Sequence, residues 1–314
     1  MRVLVTGATG ALGRPMVGLL AASGHEVLAV ARRFRDLPVP SNVIEAAVDV
    51  LDADAVSRFV RQQRPEAIVH FATAIPPQID PKRIGRQFET TNRLRTDGTR
   101  NLLRAAEQAG IETFLAQGLA YAYEPGDTIR TEADPLWPAP PAPYAPVADA
   151  LKEMERLVAD AGGVVLRLGH LYGPGTIYAA DGSMTRMVSA GKVPIVGAGA
   201  ARYSFVHVDD VASAVLAALD LPAGGGTFNV VDDHPLYLHD WLPWFAKQLG
   251  AKPPKRFPVA LARLAVGPFG VAFMNQLAGA SNARAREVLD WRPQFPSFRE
   301  GVVAERRGIT SDAA

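Results

Sequence analysis

The chain has no cysteine. That removes disulfides, thiolate metal sites and a cysteine nucleophile, and it leaves the redox compartment open. Charge of one sign is equally scarce: 33 Lys and Arg against 32 Asp and Glu give a net +1. No surface field of this size draws in nucleic acid or anionic lipid. The six histidines are scattered without ligand spacing, so no metal site is expected. There is no internal repeat or low-complexity tract. Long apolar runs are nearly absent; Pro258 to Ala280 holds a single charge, Arg263. Gly267, Pro268, Gly270, Asn275 and Gln276 interrupt it, which suits apolar helices walling a pocket better than a membrane span. The first apolar strand starts at residue 2 or 3 and leaves no room for a cleaved leader, so a cytoplasmic protein is expected.

What is present begins at the N-terminus. The apolar run Val3 to Val5 reads as a buried strand. It breaks into Thr6-Gly-Ala-Thr-Gly-Ala-Leu-Gly13 and then into the helical pattern Met16, Val17, Leu19, Leu20. Gly7 permits a tight turn, Gly10 lets a pyrophosphate approach the backbone, and Gly13 lets the helix pack closely on the sheet. The free N–H groups and positive end of that helix then face the phosphates. A glycine triplet alone is a weak signal; between a strand and a helix it points to dinucleotide binding.

Further strands are expected at Glu26–Ala31, Val43–Val48, Ala67–Phe71, Thr113–Gln117 and Gly163–Leu168. A long helix is expected from about Ile84 to Gln108, and a Pro-rich loop from Glu124 to Pro146, on the surface or over the site. Alternating strands and helices imply an α/β fold with a doubly wound parallel sheet of the Rossmann type. Ser204 to Ala212 and Thr227 to Val231 are read as further sheet. This gives a dinucleotide-binding part at 1–171 and 202–235, with a smaller substrate-binding lobe interleaved at 172–201 and 236–314. A pocket between them, open to the cofactor, is the expected substrate site.

The glycine turn, Asp49-Val50, Ile68-Val-His-Phe-Ala-Thr73, Leu166-Arg-Leu-Gly-His-Leu-Tyr-Gly-Pro-Gly175 and Arg202-Tyr-Ser-Phe-Val-His-Val-Asp-Asp-Val-Ala212 occur in one order. With Ser281-Asn-Ala-Arg and Leu289-Asp-Trp-Arg-Pro293, they resemble the extended short-chain dehydrogenase/reductase family, which contains nucleotide-sugar epimerases and dehydratases. The resemblance covers nearly the whole chain. It implies a nicotinamide cofactor held by Gly7, Thr9, Gly10, Ala11, Leu12 and Gly13. Asp49 and Val50 would meet the adenine, and Phe71, Ala72 and Thr73 the ribose and pyrophosphate. Arg95, Gln117 and His170 complete the cofactor set.

The departures concern chemistry. Members usually carry a Ser or Thr after the fifth strand, then Tyr and Lys four residues apart. Aligning Tyr123 with the family's tyrosine puts Leu119 in the hydroxyl slot, and aligning on Glu155 puts Val147 and Leu151 in the Tyr and Lys slots. Tyr144 and Lys152 stand eight apart, about 12 Å of helical rise, too far to share one site. Arg95 replaces the family's Asn, with Asn92 one turn away. The second strand ends at Ala31 where an NAD-preferring member has an acid, and Arg32, Arg33 and Arg35 follow. That pattern suits the 2′-phosphate of NADP(H), with NAD(H) also admissible.

The expected function is therefore an NADPH-dependent reductase acting on a ketone of a bulky small molecule, without the usual acid/base pair. Tyr123, Tyr144, Gln117 and His170 are the candidate proton donors by position. Tyr178, Trp241, Trp244, Phe269, Phe273 and Met274 are candidate walls for a flat apolar substrate, although aromatics at helical spacing are more often core. A nucleotide-sugar epimerase or dehydratase is the rival enzyme, and a non-catalytic NADP-binding sensor the rival outside catalysis. The only partner expected besides the small-molecule substrate is a second copy of the chain, as a monomer or homodimer.

Overall fold

Seven strands hydrogen-bond side by side, all parallel, in a computed structural model that describes residues 1–34, 38–221 and 224–308. Six are β1 (Arg2–Thr6), β2 (Glu26–Ala31), β3 (Val43–Ala47), β4 (Ala67–His70), β5 (Thr113–Leu119) and β6 (Val164–Leu168). With Gly226–Val230 at the edge, the spatial order is Gly226–Val230, β6, β5, β4, β1, β2, β3. The order reverses at β1: β2 and β3 lie on one side, and β4, β5 and β6 on the other. Such a reversal opens a crevice above the carboxyl ends of the strands.

Both faces of the sheet are covered, which is why these strands read as unbroken apolar runs. Val3 and Val5 pack on one face with Met16 and Leu20 of α1 (Gly13–Ala22) and with Val211 and Val215 of the helix Val208–Leu219. Leu4 points to the other face, among Val56, Val60 and Leu102. Burying a leucine of this kind contributes about 1.5–3 kcal/mol. A separate apolar cluster joins Tyr178, Val188, Trp241, Phe245 and Phe298. Ala285, Leu289 and Trp291 pack with the sheet instead, so the chain after Leu236 serves both sides.

Two expectations are corrected and two are narrowed. The long helix is broken into Ile84–Gln87, Glu89–Arg93, a π-turn at Leu94–Gly98, and Thr99–Ala109. His70 explains the π-turn in part: its Nε2–H donates to the Leu94 carbonyl at 3.0 Å while Nδ1 accepts from Thr6 Oγ1 at 2.7 Å. Phe205–His207 does not join the main sheet. It pairs in parallel with His170–Tyr172, where the chain has already left β6. The Pro-rich loop does not cover the crevice. It lies against the Gly279–Ser281 segment through Arg130 N to Gly279 O (3.0 Å) and Ser281 N to Arg130 O (2.8 Å). The apolar stretch forms the helix Val259–Asn275, kinked at Gly267 (φ 69°) before Pro268, and among the described residues no helix is long and apolar enough to cross a membrane.

Candidate active site

A cavity of about 1280 Å³ opens at the carboxyl ends of the strands, on both sides of the reversal at β1. Its first half is built from the glycine turn. Gly7 has φ +76°, and a Cβ there would lie 2.8 Å from the Phe71 carbonyl oxygen. At Gly13 a Cβ would lie 2.2 Å from the Gly7 oxygen, so the helix start packs directly on the turn. Gly10 differs: its Cβ would meet only the Gly7 oxygen, at 3.2 Å. A side chain at Gly10 would make that one tight backbone contact, and the rest of the space it would fill belongs to the cavity. No side chain caps α1 at Leu12; Arg14 N–H is taken by the Gly10 carbonyl at 3.2 Å and Pro15 has none, which leaves the N–H groups of Ala11, Leu12 and Gly13 for that space. These features fit a pyrophosphate.

Thr9, Ala11 and Leu12 line the cavity beside the glycines; Asp49 and Val50 line it past β3, and Phe71, Ala72 and Thr73 past β4. Arg32 and Arg33 follow β2 on the rim, exposed, and Arg35 lies outside the described residues. Every expected cofactor residue among those named for the resemblance therefore borders one space, including Arg95, Gln117 and His170 at the opposite end.

That opposite end is rich in buried polar atoms without partners. Arg95 Nη1, Gln117 Oε1, His170 Nε2 and Tyr144 Oη are all buried and make no hydrogen bond among the described residues. Burial lowers the pKa of Arg95. His170 is driven down to about 3 by burial, so its ring is neutral. Its Nδ1–H donates to the Ser204 carbonyl at 3.2 Å, which leaves Nε2 as a lone pair. His170 can accept a hydrogen bond there but cannot donate a proton.

The expected proton donors are reassigned by their surroundings. Tyr123 does not line the cavity. Its hydroxyl donates to Asn229 Oδ1 at 2.7 Å and accepts from Arg167 Nη1 at 2.8 Å, and Arg167 is held by Glu155 at 3.0 and 2.6 Å. Burial pushes Tyr123 up to about 12. It belongs to a buried tie between β6 and its neighbours. Tyr144 is buried against Phe269, with ring centroids 4.4 Å apart, and does not reach the cavity lining. Leu119, Val147 and Leu151, in the triad slots, are packed in the core. Lys152 points outward to the Pro138 carbonyl at 3.4 Å. Of the tyrosine, glutamine and histidine candidates, only Gln117 and His170 line the cavity.

The residue that sequence reasoning missed is Tyr121. It lines the cavity, stacks on His170 at 4.2 Å, and meets Phe273 edge-on at 6.2 Å. The signal was present two residues before Tyr123, but the alignment fixed on the later tyrosine. Of the expected aromatic walls, Tyr178 borders the cavity, whereas Trp241, Trp244, Phe269, Phe273 and Met274 do not. Trp241 is fully buried in the separate cluster.

The crevice at the reversal, the glycine turn and the open helix start define a nicotinamide-dinucleotide enzyme of the short-chain dehydrogenase/reductase type. The model of the NAD dependent epimerase/dehydratase family matches residues 3–231, and the chain belongs to that family. It is 44% identical over 315 residues to the 3-diazoavenalumate denitrifying reductase of a Streptomyces species, covering 97% of this chain and 100% of that one. Identity to a UDP-glucose 4-epimerase of Mycolicibacterium smegmatis is 30% over 324 residues, covering 96% of each. The Thermus thermophilus UDP-glucose 4-epimerase, solved in complex with NAD, superposes with a TM-score of 0.74 at 25% identity, covering 99% of this chain and 100% of that one. The protein is an oxidoreductase of this superfamily, with the reductases among its relatives.

Proposed function

We propose that the chain is an NADPH-dependent reductase of a flat, bulky small molecule whose hydride acceptor needs no proton from a protein acid. The observation that carries this reading is the contrast inside one cavity. The dinucleotide half is intact, while the slots for hydroxyl, Tyr and Lys hold Leu119, Val147 and Leu151 packed in the core.

A bound nicotinamide cofactor supplies a hydride. The glycine turn and the start of α1 would hold its pyrophosphate, Asp49 and Val50 its adenine side, and Arg32 and Arg33 the 2′-phosphate that distinguishes NADPH. Gln117, His170 and Tyr121 would border the reacting end. Holding two reactants in register is itself worth roughly 7–11 kcal/mol, so positioning can carry much of the rate. A missing general acid costs about 10²–10⁴.

Two acceptors avoid that loss. A ketone beside a phenol of the substrate supplies its own hydrogen bond. A diazo group, named for the 44% identical relative, needs none in its cationic form. Hydride on a diazonium nitrogen gives an aryldiazene, which loses dinitrogen and leaves the arene, all without an external proton. Epimerisation and dehydration instead begin by removing a proton from a hydroxyl, and the base slots here are apolar. Of the expected substrate lobe, 172–201 borders the cavity through Gly175 to Arg186, while no described residue of 236–314 lines it. The segment around Ala285 to Trp291 goes with the cofactor part.

The test follows NADPH absorbance with 4-carboxybenzenediazonium and with a hydroxyaryl ketone, against enzyme-free controls. Enzyme-dependent oxidation of NADPH with either, matched by arene or alcohol formed, is the expected result. Binding of NADPH without turnover on both, and on a UDP-hexose, leaves a cofactor-binding protein with no reductase activity.

A further inference from the structure

Among the described residues nothing answers the charge on Arg95. It is 4% exposed and lines the cavity, and its Nη1 has no hydrogen-bond partner. Among the described residues no carboxylate forms an ion pair with it. Its close polar neighbours are the hydroxyls of Tyr121 and Tyr144, both held protonated by burial. An uncompensated buried cation is among the most destabilising groups a fold can hold, and replacing such charges with apolar side chains commonly stabilises a protein. Its position is not accidental either: the π-turn Leu94–Gly98 presents it, and His70 pins that turn through the Leu94 carbonyl at 3.0 Å.

The anions of the cofactor are provided for elsewhere. The pyrophosphate site is the turn from Gly7 to Gly13, and Arg32 and Arg33 stand on the rim beyond β2. Arg95, which the resemblance assigned to the cofactor, is reassigned here: its charge is felt by Tyr121 and Tyr144, and Tyr121 stacks on His170 past β5 and β6, on the far side of the reversal at β1 from Arg32 and Arg33. Phe88, Leu94 and Tyr121 line the same cavity. Arg186, a second cation on the cavity, is exposed and donates to the Asp181 carbonyl.

We propose that Arg95 anchors a carboxylate on the substrate, so that the enzyme takes aromatic acids. The assignment rests on the reductase reading for its mechanism but not for its binding test. A single guanidinium matches one carboxylate in geometry and charge. Tyr121, close to Arg95 and lining the same cavity, adds an aromatic wall beside the anchor. Filling the site satisfies the buried charge, so the ligand-free protein carries a cost that the bound one does not.

The test uses the protein loaded with NADP⁺ and titrated calorimetrically with benzoate and cinnamate, each against its primary amide. In the wild type the acids should bind at least tenfold more tightly than the amides. In Arg95→Gln that preference should fall below about twofold while NADP⁺ affinity stays within about threefold. Ligand-free Arg95→Gln should melt at or above the wild-type temperature, since an unpaired charge has been removed. Acid and amide binding alike, or neither binding, in the wild type overturns the proposal. So does a tenfold loss of NADP⁺ affinity in the variant, a variant too unstable to fold, or UDP binding more tightly than cinnamate. An intact preference for acids with no NADPH consumed on any acceptor would keep the anchor and remove the reductase reading instead.

Discussion

The two ends of the cavity recognise ligands by different means. The dinucleotide end relies on backbone: a positive-φ glycine, a close helix contact and uncapped N–H groups, with Arg32 and Arg33 out in solvent. Nothing there is costly when the site is empty, because water reaches the open donors. The inner end presents side chains whose polar atoms have no partner among the described residues: Arg95, Gln117 and His170. Such groups are costly until a ligand completes them. Backbone recognition of this kind is tolerant and shared across a superfamily, while the inner end is where the proposed substrate anchor lies. His70 links the ends, with one nitrogen on Thr6 beside the glycine turn and the other on the turn that carries Arg95.

The sharpest separation of the ends is expected from the glycines. Gly10→Val should fold normally yet lose cofactor affinity by a hundredfold or more, because its side chain enters the cavity. Gly13→Val should fail to fold, with a Cβ 2.2 Å from the Gly7 oxygen. Circular dichroism with a cofactor titration checks both, and a folded Gly10→Val that binds normally would make the turn merely structural.

Acid should strain the link between the ends. Burial lowers His70 from 6.5 to about 4 and His170 to about 3, so both stay neutral in the fold while the unfolded chain takes up protons. The stability they allow is whole above about pH 6.5 and falls as pH drops through the window down to about 4 for His70. The shift in His70 corresponds to roughly 3 kcal/mol. Denaturant melts between pH 7 and pH 4 should show that slope, and His70→Gln should flatten it. An unchanged slope in the variant would mean the ring is not held neutral.

Charge at the rim should matter less than shape at the turn. Arg32→Ala/Arg33→Ala is expected to weaken NADPH binding by about ten- to a hundredfold, or 1.4–2.8 kcal/mol, and to leave NADH nearly unchanged. Fluorescence titration of both reduced cofactors decides it; equal wild-type affinities would end the NADP preference.

The smallest effects are expected at the tyrosines. Tyr121→Phe and Tyr144→Phe should each keep turnover within about tenfold, or 1.4 kcal/mol of barrier. Tyr123→Phe should do the same in turnover but lose about 1–3 kcal/mol of stability, since Arg167 and Asn229 lose a buried partner. Single-turnover kinetics would expose the exception: a thousandfold loss in Tyr121→Phe, with cofactor affinity intact, would make that hydroxyl the proton donor.

Much of the dinucleotide half was legible in the sequence. The spacing Gly7, Gly10, Gly13 between a strand and a helix encodes a local turn, and the runs Val3–Val5 and Ala67–Val69 encode strands buried on both faces. The apolar triad slots were legible too, because Val147 and Leu151 are fixed by helix spacing from Glu155. These readings depend on neighbours a few residues away, where propensity and periodicity dominate.

Tertiary structure alone decided which tyrosine meets the cavity and which arginine is left unpaired. Tyr123 is turned away by partners 44 and 106 residues distant, Arg167 and Asn229, and no local pattern marks them. The break that presents Arg95 depends on His70, 24 residues from Leu94, reaching across from another strand. Whether a buried charge has a partner is settled by every element packed around it at once, and a linear sequence does not state which elements those are.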